Sequence, residues 1–566
     1  MSGFHYAFSL PKSAVQQATP PGTVELYGTI FLLKMPQLAF LNLMLILVRQ
    51  DHEAEPTSES ASGPQLRVSP TPSTCPSDPL NWSPWRKAMA LLCASGYCFI
   101  ANITSASLSS ALAFLATDFQ PPVAQAHLSH LIAVNVLMFG AANIWWVPLS
   151  NVFGRRPIIL VSLVMLTLCS VWTAKATSFT SLLAARVFQG IAGAPADTIS
   201  PGVIGEIYFR HQRGRAMTIY TISLVLGPII GGIIGGYIAN AWGWRWTQWL
   251  NVIISGVSLL ACFFFLPETL FGRDAAIAMA AATDDIELPE EKKPTGLEKL
   301  NIEELEQIDQ RIPVQVYEPY TFASSLKVGL YRGGLWQHSM APWKTLRFPA
   351  VWLVMLHYGG LVGGIVTIST VGPQFVSAPP YNWGANAGLI NIGGLVGSIV
   401  GAAFTFYLSD HVLKRQAMRQ THGLSEPEAR LPALFPGLFL ATAGLITFGF
   451  CGAHPSNLGW LGLQFGYGML TFGVMQVPSI GFNYIIESYS MVSHDCFVMI
   501  TCLRAVIAFA WTFFVGSWVE ARGAAEPFGV FGMLMGIVAL LTIPIYFYGK
   551  RIRIMTQKWA PGQGEW

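Results

Sequence analysis

Two residues of opposite charge lie within one apolar run of the chain. Arg186 and Asp197 both fall in the run 182–208. A charged side chain at the centre of a membrane helix costs about 2.5 to 3.5 kcal/mol on insertion scales, and such residues are functional by default. A proton can neutralise the carboxylate, whereas arginine stays charged at any accessible pH. We therefore predict that Asp197 binds a proton in exchange with another ligand.

The spacing puts these residues on one helical face. Arg186, Gln189, Gly190, Gly193 and Asp197 recur at intervals of three or four residues. At 1.5 Å per residue, Asp197 lies about 16 Å beyond Arg186, too far for a direct pair within one helix. We expect each side chain to bind a partner or water elsewhere in the protein. We also expect Arg186 to change the proton affinity of Asp197 when the two residues approach. Alternatively, Arg186 extends to the outer surface and takes no part.

Other polar residues within apolar runs could line a cavity, although each could equally join two helices. These cavity candidates are Asn102, His357, Asn391, Gln476, Asn483 and Arg504. Glu206 and Glu487 stand at the inner ends of two runs, at equivalent places in the two halves of the chain. We predict that these glutamates pair with cytoplasmic arginines and close a gate rather than bind a substrate.

The run 214–236 holds many helix-breaking residues in its second half: Gly227, Pro228, Gly231, Gly232, Gly235 and Gly236. In a soluble helix each interior glycine costs about 1 kcal/mol and a proline about 3 kcal/mol relative to alanine. In a bilayer, small residues instead let neighbouring backbones approach. We predict a kinked membrane helix packed against a partner; packing alone, without a mechanistic role, would explain the same residues.

The composition excludes a soluble protein. Of 566 residues, 52% are hydrophobic and 11% charged, and the mean hydropathy is +0.47. The eight cysteines show no metal-ligand or Cys-x-x-Cys spacing, so we expect free thiols and no metal. Nucleotide-binding and nucleophile motifs are absent from the sequence. We therefore expect no cofactor, no catalytic residues, no enzymatic activity and no nucleic-acid partner.

The apolar runs form two sets of six, each run about 20 residues long as a bilayer requires. The first set is 88–115, 128–149, 158–174, 182–208, 216–239 and 249–266. The second set is 351–375, 387–408, 433–451, 458–486, 497–519 and 528–548. The prediction is an all-α polytopic membrane protein made of two six-helix bundles with about twelve transmembrane helices.

The runs divide the chain into five parts: 1–86, a bundle 87–267, a central loop 268–347, a bundle 348–549 and a tail 550–566. The first part holds an apolar stretch, 30–48, interrupted by Lys34 and Pro36. We expect this stretch to lie at the membrane interface or to reflect a misassigned gene start, with a span as the alternative. The polar residues 50–77 are expected to be disordered.

The distribution of lysine and arginine predicts the orientation. Basic residues concentrate in the loops after the second, fourth and eighth runs and in the tail, whereas the opposite side carries Lys175, Arg245 and Arg522. By the positive-inside rule, both termini and the central loop are cytoplasmic. Within that loop, 297–308 is patterned as an amphipathic helix. The basic and aromatic stretch 327–347 is expected to lie on the membrane surface.

Gly214, Ser223, Gly227-Pro228 and Gly231-Gly232 resemble the fifth-helix motif of antiporters in the major facilitator superfamily. Ser223 replaces a glycine of that motif, and a small residue still permits close packing. Arg186 to Gly190 resembles the family's Arg-x-x-Gln-Gly element, which is associated with proton coupling. The resemblance implies that Arg186 and Gln189 take part in coupling, in addition to Asp197, which we predict from its charge.

The segment 148–157 resembles the superfamily's cytoplasmic gating motif. The departures are Val147, Asn151 and Val152, which replace a glycine, an aspartate and an arginine. The resemblance implies a gate that includes Leu149, Gly154, Arg155 and Arg156. Asp410 stands in a weak echo of this segment after the eighth run, and we add it to the predicted gate together with Glu206 and Glu487. Alternatively, Arg155 and Arg156 serve only to set the topology. The entry 78–87 and the segment 425–431 are similar to fungal drug:proton antiporter-like members with twelve spans.

Three functional classes compete. Proton-driven export of a small amphipathic compound, such as a drug or secondary metabolite, comes first because of the fifth-helix motif and the sparse charge. Proton-coupled uptake of a polyamine or another organic cation comes second. A cavity with many acidic residues would favour this class, and the apolar runs supply only Asp197 and Glu487. A non-transporting membrane sensor comes third. We expect a monomer in the plasma membrane or the vacuolar membrane.

Overall fold

The structure is a computed structural model that describes residues 24–25, 78–115, 118, 125–271, 334–419, 424–489, 492–556 and 559. The predictions for 30–48, 50–77 and 297–308 lie outside the described residues, as does most of the central loop. The side chains of 408–419, including Asp410, lie outside the description as well.

The first half of the chain is helical. Its α-helices are α1 Pro84–Ala106, α2 Leu112–Leu115, α3 Gln125–Ala141, α4 Asn143–Phe153, α5 Arg155–Lys175, α6 Phe179–Gly193, α7 Pro195–Ile207, α8 Arg210–Trp242 and α9 Trp244–Phe265. Helices dominate because a helix satisfies the backbone hydrogen bonds of an apolar run within the run itself.

The second half repeats this architecture. Its α-helices are α10 Leu335–Thr345, α11 Pro349–Ser377, α12 Asn391–Arg419, α13 Phe435–Ala453, α14 Gly459–Ser488, α15 Ser493–Arg522, α16 Ala525–Leu540 and α17 Thr542–Thr556. Short 3-10 helices cover Pro79–Asn81, Ser109–Ala111, Gly384–Ile390 and Pro427–Leu434. Two strands of two residues each, β1 Val24–Glu25 and β2 Leu424–Ser425, pair antiparallel.

The part of the chain that the structure describes holds 11 helical stretches long and apolar enough to cross a membrane. The predicted membrane fold is confirmed. The run 182–208 is not among the 11. It consists of α6 and α7, which Ala194 separates, and it carries the polar residues Arg186, Gln189 and Asp197. Pro195 begins α7, and proline has no amide hydrogen to continue the helix before it. This break places Asp197 in the first turn of α7.

The two halves meet mainly along two helix pairs, α3 with α15 and α8 with α12. Gly140 of α3 permits the first contact: a Cβ there would lie 2.8 Å from the Thr501 carbonyl oxygen of α15. The Cys502 thiol also donates to the Gly140 carbonyl at 3.3 Å. Helix α10 exposes Trp336 and Trp343, as an interfacial helix would. Its position on the membrane surface stays a prediction.

Candidate functional site

Asp197 of α7 and Arg504 of α15 form an ion pair between the two halves of the chain. Both side chains are buried, with 3% of the Asp197 side chain and 8% of the Arg504 side chain exposed. Asp197 stands in the first turn of α7, directly after Pro195. Removing one partner of a buried pair leaves an uncompensated charge and costs about 3 to 5 kcal/mol.

Several side chains hold the two members of this pair. The amide Nδ2 of Asn102 lies 3.4 Å from the Asp197 carboxylate, and Tyr220 donates to the Asp197 backbone carbonyl at 3.1 Å. On the other side, Arg504 Nη1 donates to the Tyr358 hydroxyl at 3.2 Å. The Arg504 guanidinium also lies over the Tyr358 ring, 4.9 Å from its centroid, as a cation–π contact. The pair therefore connects α1, α7, α8, α11 and α15.

Arg186 lies in a separate network. Its guanidinium is fully buried and donates to the carbonyls of Leu131, Thr104 and Ser105, the last at 2.6 Å. It also donates to Gln189 Oε1 at 2.7 Å. An extension of Arg186 to the outer surface is therefore wrong for this structure. In this structure the cation beside Asp197 is Arg504 and not Arg186.

Gln189 extends the Arg186 network towards two further helices. Its Nε2 donates to Ser170 Oγ of α5 at 3.0 Å and to Gln248 Oε1 of α9 at 3.4 Å. These bonds satisfy buried polar groups across α5, α6 and α9, which is a structural task in an apolar bundle. The coupling roles of Arg186 and Gln189 stay predictions.

A cavity of about 80 Å³ lies between the halves beside the ion pair. Its wall comes from α1, α3, α8, α11, α14 and α15 and is mainly aliphatic. The polar residues among those that line it are Asn102, Ser105, Ser109, Tyr358, Ser369 and Arg504. Ligand pockets usually measure about 300 to 1,000 Å³. The halves must therefore separate before a drug-sized molecule can bind here.

Of the six cavity candidates, Asn102 and Arg504 line this cavity. The other four make hydrogen bonds that join or stabilise helices, which is the alternative role that the sequence leaves open for each of them. His357 contacts the Leu353 carbonyl at 2.6 Å and Thr542 at 3.1 Å, and Gln476 accepts from the Gly437 amide at 3.1 Å. Asn391 donates to the Gly388 carbonyl at 3.0 Å, and Asn483 donates to the Ser479 carbonyl of its own helix at 2.6 Å.

Sequence reasoning missed Tyr358 and Tyr220. Both are buried and contact the central pair. The chain has 17 tyrosines; Tyr358 stands in no motif, and Tyr220 lies between Gly214 and Ser223, at a position that the fifth-helix motif does not specify. No sequence signal separates these two tyrosines from those that pack or face lipid.

The glycines of α8 serve two different contacts. A Cβ at Gly227 would lie 2.9 Å from the Phe99 carbonyl oxygen of α1, and one at Gly231 would lie 2.9 Å from the Ile103 carbonyl oxygen. Gly232 faces the other half, where a Cβ would lie 2.7 Å from Asn391 Nδ2. A side chain at Gly227 or Gly231 would require a backbone to move, whereas one at Gly232 would require the Asn391 side chain to move. Of the remaining motif residues, Pro228 lines the cavity and Ser223 donates to the Ile219 carbonyl at 3.1 Å.

The residues expected at the cytoplasmic gate form charge clusters within each half. Arg155 pairs with Glu206 at 3.1 Å in the first half, and Arg430 pairs with Glu487 at 2.5 Å in the second. Leu149 packs partly buried against the core, and Gly154 ends α4 with a φ of 108°, a left-handed conformation that favours glycine. Arg156 donates to the Phe263 carbonyl at 2.6 Å. A gating role for these residues stays a prediction.

Glu268 belongs to the first cluster and was not among the expected site residues. Its carboxylate accepts the backbone amides of Arg155 at 2.9 Å and Arg156 at 3.1 Å, at the amino terminus of α5. Burial raises the pKa of the Glu268 carboxyl, while these amide hydrogen bonds oppose the shift. Glu268 thus fixes the end of α9 to the start of α5.

The second cluster has a similar extension at the end of the chain. Arg553 of α17 binds Glu428 with Nε to Oε1 at 2.6 Å and also contacts Glu426. Lys550 pairs with Glu426 at 2.8 Å. These contacts hold α17 against the 3-10 helix Pro427–Leu434, so each half has a buried charge cluster at one end of its bundle.

Comparison with known proteins gives the family. Residues 91–490 match the family model described as Major Facilitator Superfamily. The chain is 27% identical to the MFS transporter cpaT of Aspergillus oryzae, over 85% of this chain and 90% of that protein. It is 24% identical to the multidrug transporter TPO1_1 of Candida glabrata, over 84% of this chain and 78% of that protein.

Two further comparisons agree. The chain is 26% identical to the efflux pump FUBT of Fusarium oxysporum, over 83% of this chain and 74% of that protein. Its structure resembles the xylose transporter XylE from E. coli in a partially occluded inward open conformation, with a TM-score of 0.56 and 14% identity over 82% of this chain and 98% of the other. The structural likeness shows the shared fold. The chain is a multi-pass membrane transporter that belongs to the Major Facilitator Superfamily.

Proposed function

We propose that this transporter exports a small amphipathic organic compound in exchange for protons. The observation that supports this proposal best is the buried ion pair of Asp197 and Arg504, which connects the two halves beside the central cavity. A proton on Asp197 would cancel the negative member of this pair. Proton binding would thus act directly on the contact between the two halves.

The coupling follows from the cost of a buried charge. With Asp197 ionised, Arg504 has its counterion and the packed arrangement of α7 and α15 is stable. With Asp197 protonated, Arg504 is left buried without an opposite charge, which costs several kcal/mol. The protein relieves this cost by moving the halves apart, so the proton shifts the population of conformations. Rocking of two halves around a central site is how such transporters alternate access.

Export of a drug or secondary metabolite is supported by two relatives whose names are efflux pump and multidrug transporter. The largely apolar cavity wall is also suited to an amphipathic compound. We place both termini and the central loop in the cytoplasm on the basis of the positive-inside rule. The proposed setting is a monomer in the plasma membrane, or alternatively in the vacuolar membrane.

Transport by the purified protein in proteoliposomes tests the proposal. Vesicles made acidic inside would be given tritiated 1-naphthylacetamide, 1-naphthylacetate or 1-naphthylmethylamine outside, and accumulation would be measured with and without a protonophore. Exchange with protons predicts gradient-dependent accumulation of at least one compound above that in protein-free vesicles. Vesicles with the Asp197→Asn protein are the matched control. Proton-coupled transport would be rejected if each compound accumulated to the same level in wild-type, Asp197→Asn and protein-free vesicles.

A further inference from the structure

Helix α10 presents aromatic and basic side chains on one surface. Trp336 and Trp343 are seven residues apart, so they share a helical face, and their exposed fractions are 74% and 47%. Leu335, Lys344 and Arg347 are exposed beside them. We infer that this α10 surface, formed by the five residues named here, binds anionic phospholipids of the membrane. The lipid site goes beyond the proposed transport function and does not depend on it.

The charge of this region has one sign. Residues 319–409 include four basic residues, Lys327, Arg332, Lys344 and Arg347, and no acidic residue. The first two fall outside the described residues. Basic residues next to a membrane helix are attracted to anionic lipids, and clusters of four or more are typical of binding to anionic head groups. Charge complementarity therefore favours a negatively charged partner.

The buried face of α10 holds this surface against the protein. Ala341 and Thr345 are buried, and α10 packs against α4 of the first half and against α15 of the second. In the turn that follows, the indole N–H of Trp352 in α11 donates to the Leu346 carbonyl at 2.8 Å. The α10 surface is therefore fixed next to the start of α11.

The length of α11 places the α10 surface at the level of lipid head groups. Helix α11 has 29 residues and measures about 43 Å at 1.5 Å per residue. A bilayer with its head groups is about 40 to 45 Å thick. A helix of this length reaches from one head-group layer to the other, so Arg347, two residues before α11, lies at a head-group layer.

The aromatic residues favour a lipid over other negatively charged partners. Tryptophan is enriched where membrane and water meet, because its ring is apolar and its indole N–H is polar. Basic helices with tryptophan and leucine on one side are typical of helices that lie in the membrane interface. A phospholipid offers an anionic head group to Lys344 and Arg347 and an apolar region to the tryptophans. The alternative occupant is the acidic stretch 284–309 of the central loop.

Native mass spectrometry of the purified full-length protein in detergent tests the inference. The protein would be titrated with equimolar dioleoylphosphatidylserine and dioleoylphosphatidylcholine, which share their acyl chains and differ in the net charge of the head group. We expect the wild-type protein to retain phosphatidylserine in preference to phosphatidylcholine. Equal retention of the two lipids would overturn the inference and favour the acidic stretch as the occupant of the α10 surface.

Arg347→Gln tests whether the preference arises at α10. Loss of one basic residue should weaken phosphatidylserine binding roughly fivefold, and the double variant Lys344→Gln with Arg347→Gln should weaken it roughly 30-fold. Phosphatidylcholine binding should change little. Unchanged phosphatidylserine binding in the double variant would remove the site from α10. The wild-type comparison of the two lipids decides the preference even if a variant fails to fold.

Arg522→Gln is the matched control. Arg522 is exposed and loses the same charge, but it has a carboxylate partner in Glu526 at 3.7 Å and lies at the far end of α15. We expect this variant to keep the wild-type preference. An equal loss of phosphatidylserine binding in Arg522→Gln and Arg347→Gln would assign the preference to the net charge of the whole protein and overturn the α10 site.

A soluble head group separates a lipid site from a simple anion site. Glycerophosphoserine carries the head group of phosphatidylserine without the acyl chains. We expect it not to displace phosphatidylserine at an equal concentration, because the tryptophans contribute only when an apolar region is present. Displacement at that concentration would show that the surface binds a free anion and would reject the phospholipid as its partner.

Discussion

Asp197 and Arg504 are separated by 307 residues in the chain and bind one another where its two halves meet. Each residue belongs to a different helical bundle, so their contact exists only while the halves are close. In the proposed mechanism, a proton on Asp197 would weaken this contact and so favour movement of the halves. This relationship makes Asp197 the principal target for mutation.

Asp197→Asn should abolish transport driven by a pH gradient while leaving the protein inserted in the membrane. The amide cannot be ionised, so proton binding no longer changes the contact with Arg504. The uncompensated arginine should also lower the stability by about 3 to 5 kcal/mol. Flux in proteoliposomes across a range of imposed gradients and thermal unfolding in detergent measure the two effects.

The double variant Asp197→Asn with Arg504→Gln is the control for stability. It removes both charges, so its thermal unfolding temperature should recover towards that of the wild type while coupling stays absent. Wild-type dependence of flux on the gradient in Asp197→Asn would move the proton site elsewhere, with Glu487 the next candidate.

Arg186→Ala should reduce the stability more than it changes the pH profile of transport. The side chain donates to three backbone carbonyls and to Gln189, and each hydrogen bond to a charged donor contributes about 1.5 to 3 kcal/mol. Gln189→Ala, which leaves the carbonyl contacts intact, is the milder comparison. The unfolding temperature and the pH optimum of flux should be measured for both. A normal unfolding temperature with a shifted optimum would instead assign Arg186 to coupling.

Gly231→Leu should disrupt the packing of α8 against α1 and weaken the coupling of transport to protons. Even a Cβ at this position would lie 2.9 Å from the Ile103 carbonyl oxygen, so α1 and α8 would have to separate. Gly256→Leu in α9 is matched in chemistry, and a Cβ there meets nothing within 4 Å. Gradient-dependent flux is the measurement, with membrane insertion checked by surface labelling. Tight coupling in Gly231→Leu would count against the antiporter interpretation of the motif.

Glu268→Gln should change how stability depends on pH. Burial raises the pKa of Glu268 above its ordinary value of 4.5, so the folded protein binds this proton more tightly than the unfolded chain. The contribution of Glu268 to stability is therefore present below pH 4.5 and is lost as the pH rises through its raised folded pKa. Because glutamine does not ionise, Glu268→Gln should reduce the decrease in the free energy of unfolding between pH 4.5 and pH 7. Unfolding temperatures of the two proteins at several pH values would show an unchanged slope if Glu268 were not responsible.

The orientation is tested by cysteine labelling from outside the cell. In a background without the native cysteines, a membrane-impermeant reagent should label Ala453→Cys and leave Ser425→Cys unlabelled. The prediction rests on the excess of lysine and arginine in the loops on the side of Ser425. Efficient external labelling of Ser425→Cys would reverse the proposed topology.

The sequence by itself determined the membrane class, the positions of the helices and the family. These features follow from local properties: an apolar run long enough for a bilayer becomes a helix wherever it stands, and the glycine spacing of 214–236 can be read along one segment. The sequence predicts one continuous span over 182–208, whereas the structure divides it at Ala194, directly before Pro195, while Pro201 lies inside α7. Proline is tolerated within membrane helices, so its presence alone does not locate a break.

Only the tertiary structure decided which charges meet. Arg186 is closer to Asp197 in sequence and shares its predicted helical face, yet Asp197 pairs with Arg504 and Arg186 binds the carbonyls of neighbouring helices. Pairing between distant segments depends on how the bundles pack, and helical periodicity within one run carries no information about another run. The same reason hid Tyr358, whose role depends on a neighbour from α15 rather than on its own sequence context.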